Sequence, residues 1–371
     1  MKYYIIAGEA SGDLHGSNLM KALKHQDVSA SFRCWGGPLM RTEGGTFVKD
    51  YKDLDFMGFW EVLANFPVIL KNIRFCKEDI QAYRPDAVIL IDYPGFNLRI
   101  ANFVKTLKIK VFYYISPKVW AWRRSRVYRI KKTVDKMFVI LPFEKAFYEK
   151  HGVEVEFVGH PILDAFHARD PVNREDFIGE HGLDGRPIVA LLPGSRKQEI
   201  AHVFPLMWSM RKLLPVYQFV VAGAPSFTRA YYETLAGEEI RCVMDRTYEL
   251  LACSHAALVT SGTATLETAL LKVPQVVCYK GSYISYEIAK RLVRHIRFIS
   301  LVNLIMDREV VKELIQDVFT SENLQGELSK VLDLEHRVRI IADYQNLREQ
   351  LGDVGASERA AKGMIAALRS C

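Results

Sequence analysis

Short apolar runs, separated by amphipathic stretches of helical length, constrain this chain more than any other feature. Tyr3 to Ala7, Ala87 to Ile91, Lys110 to Ile115 and Lys136 to Ile140 read as buried strands with helical patterns between them. That alternation specifies a parallel α/β sheet. It then restarts, because Pro187 to Leu192, Gln218 to Ala222, Ala256 to Thr260 and Gln275 to Tyr279 form a second set. Between the sets, Gly159-His160-Pro161, Asp170-Pro171 and Gly185-Arg186-Pro187 gather the turn formers of a domain boundary. The expected fold is α/β, with two Rossmann-like domains facing across a cleft. Residues 1–170 form the first domain, 171–340 the second, and 341–371 a helical tail able to cross back onto the first. A length of 371 residues suits two domains of average size. In open parallel sheets ligands bind beyond the carboxyl ends of the strands, so the chemistry is expected in the loops there.

Composition narrows the partners. With 49% hydrophobic and 25% charged residues the chain belongs with folded globular proteins. A net charge of +7 fits an anionic substrate or membrane surface better than a nucleic acid, which would call for a dense basic stripe. The cysteines Cys34, Cys76, Cys242, Cys253, Cys278 and Cys371 are scattered, without zinc or C-x-x-C spacing, as in a reduced compartment. The start, Met1 to Gly8, runs straight into a strand without the pattern of a secretory signal. No apolar stretch reaches the roughly 18 residues of a spanning helix. A cytoplasmic protein that meets a membrane only from outside is expected.

The strand exits carry the polar residues. The first ends in Gly8-Glu9-Ala10-Ser11-Gly12-Asp13, lacking G-x-G-x-x-G spacing and bearing two carboxylates that would repel a diphosphate. Glu9, Ser11 and Asp13 read as contacts to sugar hydroxyls or an acceptor; alternatively Ser11 or Asp13 caps the following helix. Ala87 to Ile91 delivers Asp92, where a general base belongs, flanked by Tyr93 and Phe96, which would desolvate it; capping or turn formation is the bland alternative. Trp120, Trp122 and Arg123 open an aromatic and basic block continuing through Arg124, Arg126, Arg129, Lys131 and Lys132. Phosphate or lipid head groups suit it, and so does a solvated basic helix.

In the second domain Pro193-Gly194-Ser195-Arg196 follows a strand, and the Arg196 guanidinium matches a departing phosphate, unless it is a surface arginine. Ser261-Gly262-Thr263-Ala264 opens a helix after a buried strand, an anion site made of backbone N–H groups. Glu267, one turn on, is placed for ribose hydroxyls or for ordinary capping. The metal-binding pattern Asp53-Leu54-Asp55 lies in a turn without a clear preceding strand, so no metal and no cofactor is expected. Leu54 to Phe75, with Met57, Phe59, Trp60 and Phe66, is apolar over more than one helix face. It reads as a membrane or acyl-chain contact, or as a buried core helix.

Taken in order, these loops resemble those of the lipid-A-disaccharide synthases, bacterial glycosyltransferases of the two-Rossmann (GT-B) type. The likeness runs through Ala7 to Asp13, Met57-Gly58, Glu61-Val62, Asp92, Phe96-Asn97, Ser116-Pro117, Val119 to Arg123 and Leu141-Pro142-Phe143-Glu144. It continues through Gly159-His160, Leu191 to Arg196, Ser261 to Ala264, Leu266-Glu267, Asn303-Leu304, Arg308-Glu309 and Val311 to Leu314. The resemblance implies transfer of 2,3-diacylglucosamine from UDP-2,3-diacylglucosamine to the 6-hydroxyl of 2,3-diacylglucosamine 1-phosphate. The product would be the β-1′,6-linked lipid A disaccharide, made with inversion by a peripheral enzyme on the inner face of the cytoplasmic membrane of a Gram-negative bacterium. The first domain would then take the acceptor and its acyl chains, and the second the UDP-sugar. Asp92 and Arg196 take the family's important acid and arginine. Ser195, Ser261 to Ala264, Glu267, Asn303, Glu309 and Gln316 become contacts to the UDP-sugar. Family habit points to a homodimer. Departures from the pattern at Lys118, Arg124 and Pro161 bear on acceptor and acyl-chain preference. The rivals are a UDP-sugar 2-epimerase on the same architecture and a non-catalytic UDP-sugar-binding protein.

Overall fold

The computed structural model describes residues 1–53, 66–122, 124–282, 286 and 296–370. The chain divides into two compact units, Met1–Ala168 with Leu351–Cys371, and Arg169–Gln350. In the first, strands β1 (Lys2–Ala7), β2 (Ser31–Gly36), β3 (Thr46–Asp50), β4 (Ala87–Ile91), β5 (Lys110–Tyr114), β6 (Lys136–Val139) and β7 (Val155–Phe157) form a sheet in the order β3-β2-β1-β4-β5-β6-β7. In the second, β8 (Ile188–Leu192), β9 (Gln218–Gly223), β10 (Cys242–Met244), β11 (Ser254–Thr260), β12 (Gln275–Tyr279) and β13 (Lys312–Ile315) run in the order β10-β9-β8-β11-β12-β13. Neighbouring strands are parallel in both sheets.

The central strands are apolar along their whole length because helices cover both faces: β4 and β8 are buried at every residue. Each Val, Leu or Ile so buried contributes about 1.5–3 kcal/mol. The first core gathers Tyr4, Ile6, Leu90, Val111 and Tyr113, and the second Ile188, Leu192, Val220 and Val259. A polar tie crosses the first core. The Tyr4 hydroxyl takes the Trp35 indole N–H at 2.6 Å and donates to Asp79 at 2.7 Å, and Asp79 also pairs with Arg33. The helix Phe66–Tyr83 is thereby fixed to β1 and β2 by one face, leaving Phe66, Val68 and Leu70 exposed.

Strand order reverses beside β1 and β4, and again beside β8 and β11, which opens a crevice at the carboxyl edge of each sheet. Register sets what emerges there. Ala7 pairs with Ile91, so Gly8 and Asp92 leave the first sheet side by side. Leu192 pairs with Val259, so the loops beginning at Pro193 and Thr260 leave the second together.

The tail is two helices. Leu334–Gln350 stays with the second unit, where the Tyr344 hydroxyl accepts from Gln275 at 3.3 Å. Ala356–Arg369 belongs to the first and packs against the helix Ala10–Gln26. Its small-residue face is what allows the approach: a Cβ at Gly363 would stand 2.6 Å from the Phe138 ring.

Candidate functional site

Asp92 stands at the first switch point on strained backbone. Asp92 and Tyr93 both adopt left-handed conformations, with φ of 42° and 46°, each costing on the order of 1 kcal/mol or more for a residue with a Cβ. The surroundings hold them there. The Asp92 carbonyl accepts from Asn97 Nδ2 at 2.8 Å and from the Tyr113 hydroxyl, while its N–H donates to the Ile115 carbonyl. Gly8 is the other half of the fit, since a Cβ there would stand 2.4 Å from the Tyr93 ring. With its backbone secured, the carboxylate lies partly exposed at the crevice. Burial pushes its pKa up to about 6, and the nearby Glu9 carboxylate adds to the rise; Lys118 and the Tyr93 N–H oppose it. Such a group is ionised at neutral pH yet basic enough to take a proton.

Around it the expected acceptor residues separate by burial. Glu9 begins the helix Ala10–Gln26 beside Asp92, and Ser11 is exposed in its first turn. Asp13 is almost wholly buried, its carboxylate accepting from the N–H groups of Gly37, Leu39 and Met40 at 2.7–3.0 Å. It caps the helix Pro38–Thr42 from a neighbouring element and has no oxygen left facing the crevice. Trp120 is buried edge-on against Phe143 at 4.9 Å, whereas Trp122 is exposed with Arg126 over its ring.

At the second switch point, Gly194 with φ 106° turns the chain so that Ser195 and Arg196 lead into the helix Lys197–Leu213. The Arg196 side chain is exposed, its guanidinium 3.4 Å from Glu199. Beside it the helix Thr263–Leu270 starts at Gly262, φ 136°, with no side chain capping its first turn. Thr263, Ala264 and their neighbours thus present backbone N–H groups and the positive end of the helix to an anion. Ser261 donates its hydroxyl to the Ile299 carbonyl at 3.0 Å. Glu267 is largely buried, which raises its pKa against the opposing charge of Arg169.

A knot of hydrogen bonds supports that wall. The Glu313 carboxylate accepts from Ile299 N–H, Ser300 N–H, the Ser300 hydroxyl and Asn303 Nδ2, all between 2.7 and 3.0 Å. Asn303 is fully buried, its oxygen taking the N–H groups of Val310 and Val311 and its nitrogen reaching the Val311 carbonyl. Its amide therefore fastens the loop from within. Gln316, buried in a left-handed conformation, exchanges hydrogen bonds with the Gly281 backbone. Glu309 is exposed and paired with Lys312 at 3.2 Å. Sequence reasoning gave no role to Tyr113 or Ser300, and placed Glu313 only within the stretch Asn303 to Glu313 that the resemblance assigns to the sugar nucleotide, because each acts through a partner that only the folded chain brings near.

These strand-exit loops can be set beside known proteins. A family model described as lipid-A-disaccharide synthetase matches residues 3–367. The lipid-A-disaccharide synthase of Geobacter metallireducens is 43% identical over 366 residues, covering 96% of this chain and 94% of that protein. The chain belongs to the lipid-A-disaccharide synthase family. The synthase of Syntrophus aciditrophicus, at 40% identity over 96% of this chain and 95% of that one, agrees. Among solved structures, the UDP-GlcNAc 2-epimerase of Methanocaldococcus jannaschii in complex with UDP-GlcNAc and UDP superposes with a TM-score of 0.66 at 13% identity, covering 99% of this chain and 100% of that one. A glycosyltransferase from Rickettsia africae gives 0.59, also at 13%, covering 99% and 98%. Those two likenesses are of fold only, and the epimerase reading has no more than this shared architecture in its favour.

Membership makes the chain a glycosyltransferase of lipid A disaccharide synthesis, acting on UDP-sugar-type substrates. Of the synthase residues expected from sequence, Met57, Phe59, Trp60 and Arg123 lie outside the described residues, as do Leu54 and Asp55 of the aspartate pair. Phe66 is described and half-exposed. On the same helix a groove of about 410 Å³ is lined by Leu70, Ile73 and Phe103 with Arg74, Lys77, Glu78 and Gln81, and Arg74 is paired with Glu78 at 2.9 Å. Among the described residues no cluster of His, Cys, Asp and Glu is arranged to hold a metal ion, and no helix is long and apolar enough to cross a membrane.

Proposed function

We propose that this synthase transfers the 2,3-diacylglucosaminyl group of UDP-2,3-diacylglucosamine to the 6-hydroxyl of 2,3-diacylglucosamine 1-phosphate by a single inverting displacement. Asp92 takes the proton of the 6-hydroxyl as its oxygen bonds to the donor's anomeric carbon. The bond from that carbon to the β-phosphate oxygen breaks, and UDP leaves with the electron pair. Arg196 and the start of the helix Thr263–Leu270 neutralise the charge growing on the leaving diphosphate, so that no divalent metal is required. Ser195 and Ser261 to Ala264 line the diphosphate, and Glu267 accepts from the ribose hydroxyls. Glu309 and Gln316 flank the nucleotide, while Asn303 serves from inside the wall. The first unit takes the acceptor, with Glu9 and Ser11 toward its hydroxyls and Trp122 toward its head group. Exposed Phe66, Val68 and Leu70, with Arg74 and Lys77 alongside, meet the acyl chains and the anionic inner face of the cytoplasmic membrane.

The observation that carries this reading is Asp92: a carboxylate at the carboxyl edge of the first sheet, accessible, with a pKa near 6 and its backbone held by Asn97 and Tyr113. The test is to supply both substrates and identify the product by mass spectrometry and anomeric NMR. A β-1′,6 disaccharide 1-phosphate formed in equal amount to UDP supports it. An α-linked product, or UDP released at the same rate without acceptor, defeats it.

A further inference from the structure

Tyr113 lies within the first core, fully buried, at a position of β5 where packing alone would be served as well by phenylalanine. A buried phenol needs a hydrogen-bond partner, and the one its hydroxyl donates to is the main-chain carbonyl of Asp92. Register brings the two together: Tyr113 pairs with Leu90 on the adjacent strand, two residues short of Asp92, and its long side chain reaches along the strand to the turn. That turn is the strained one. Asp92 and Tyr93 are consecutive left-handed residues, with φ of 42° and 46°. Turning over the peptide between them would return Tyr93 to negative φ, so the observed orientation has to be held by its surroundings. The carbonyl of that peptide takes two donors, the Tyr113 hydroxyl and Asn97 Nδ2 at 2.8 Å. On the other side of the Asp92 Cα, the N–H is fixed on the Ile115 carbonyl at 3.3 Å. Both peptides flanking that Cα are anchored, and with them the direction in which the carboxylate leaves the chain.

We propose that Tyr113 is a positioning residue for the transfer: its hydroxyl latches the Asp92–Tyr93 peptide in the orientation that aims the Asp92 carboxylate into the crevice, without touching substrate. This rests on the reading of Asp92 as the base. Asn97 shares the task, but its amide also donates to the Ile91 carbonyl at 3.1 Å and so secures the end of β4 as well as the turn. The phenol comes from a different element, β5, and reaches the turn through a single oxygen. Removing that oxygen keeps the ring, its packing and the Asn97 bond, and leaves the peptide free to turn over. A carboxylate released in this way swings toward water and loses the burial that pushes its pKa up to about 6. The charged groups that face it are Glu9, which adds to the rise, and Lys118, which opposes it.

The experiment measures kcat and KM for donor and acceptor from about pH 4.5 to 8.5 in the wild type, Tyr113→Phe and Asp92→Asn, with amide hydrogen exchange over residues 92–97 in the first two. Tyr113→Phe, which deletes one oxygen from a ring that stays in place, should keep the wild-type circular dichroism. Its kcat should fall about tenfold, the worth of one hydrogen bond, with both KM values within about twofold of the wild type. The acid limb of kcat/KM for the donor, near pH 6 in the wild type, should move down toward the ordinary 3.8 of an aspartate. Exchange over residues 92–97 should quicken while β4 and β5 stay protected. Lost stability alone would move neither the limb nor the exchange of that one segment. With Asp92→Asn slow, an unchanged kcat in Tyr113→Phe, or a lower kcat with the limb still near pH 6, overturns the proposal alone. An Asp92→Asn enzyme as fast as the wild type overturns the reading of Asp92 as the base, and the proposal with it.

Discussion

Asp92 holds a charge where the fold disfavours it. Its pKa near 6 lies above the ordinary 3.8, so the native state keeps its proton at a pH where the unfolded chain has lost it. Stability from this group is full below about 4, falls as pH rises through 6, and stays lower at neutrality by on the order of 2–3 kcal/mol. Asp92→Asn should therefore melt at a higher temperature than the wild type at pH 7.5 while turning over about 10²–10⁴-fold more slowly. A variant less stable yet active would remove Asp92 from the mechanism. In the wild type, kcat/KM for the donor should decline as pH drops through about 6. Arg196→Ala should lower kcat about 10²–10³-fold at saturating donor, and Arg196→Lys less, because an ammonium restores charge but not the planar fork. The strand-exit positions of both side chains were legible because each follows a strand that could itself be read. Asp13 was not: its N–H partners lie 24 to 27 residues away, at the start of a helix its own loop does not announce. Asn303 is similar, an amide that looks available until Val310, Val311 and Glu313 fold around it.

Among the elements, the strands buried on both faces were readable from sequence nearly to the residue, β4 and β12 at both ends. Those missed, β2, β3, β7, β10 and β13, are short or interleave charged residues, as in Ser31–Gly36 with Arg33 and Lys312–Ile315 with Glu313. Edge strands β3, β7, β10 and β13 need only one apolar flank, and so leave a weaker pattern. The loop between Ile299 and Asn303 depends on one such strand, since Glu313 of β13 supplies its anchor. Glu313→Ala should unfasten Ser261 through Ile299 and weaken UDP binding about tenfold or more by calorimetry, with acceptor KM unmoved. The helix Phe66–Tyr83 left a choice between core and membrane, and the fold divides it: Ile73, Cys76 and Ile80 face inward while Phe66, Val68 and Leu70 face out. Phe66→Glu with Leu70→Glu should cut binding to anionic vesicles about tenfold or more in flotation, because burying each side chain is worth about 1.5–3 kcal/mol, and should leave the circular dichroism unchanged.

For the molecule as a whole, two alternating sets of strands and a turn-rich boundary announced two sheets, and the described chain forms them. The route of the tail was less legible. Two consecutive helical patterns do not reveal that Leu334–Gln350 stays with one unit and Ala356–Arg369 returns to the other, because that choice lies in the small residues Ala360, Ala361 and Gly363 meeting β6 and the helix Ala10–Gln26. Ending the chain at Gln350 should accordingly destabilise the first unit selectively, with early proteolysis near its helix Ala10–Gln26 and an intact second unit. The central claim is acceptor-dependent transfer with Asp92 as base and without a metal. Its most direct test is UDP release from UDP-2,3-diacylglucosamine, with and without 2,3-diacylglucosamine 1-phosphate, in EDTA, for the wild type and Asp92→Asn. Release that requires the acceptor, survives EDTA and disappears in Asp92→Asn is expected; release that ignores the acceptor, stops in EDTA, or persists in the variant would contradict it.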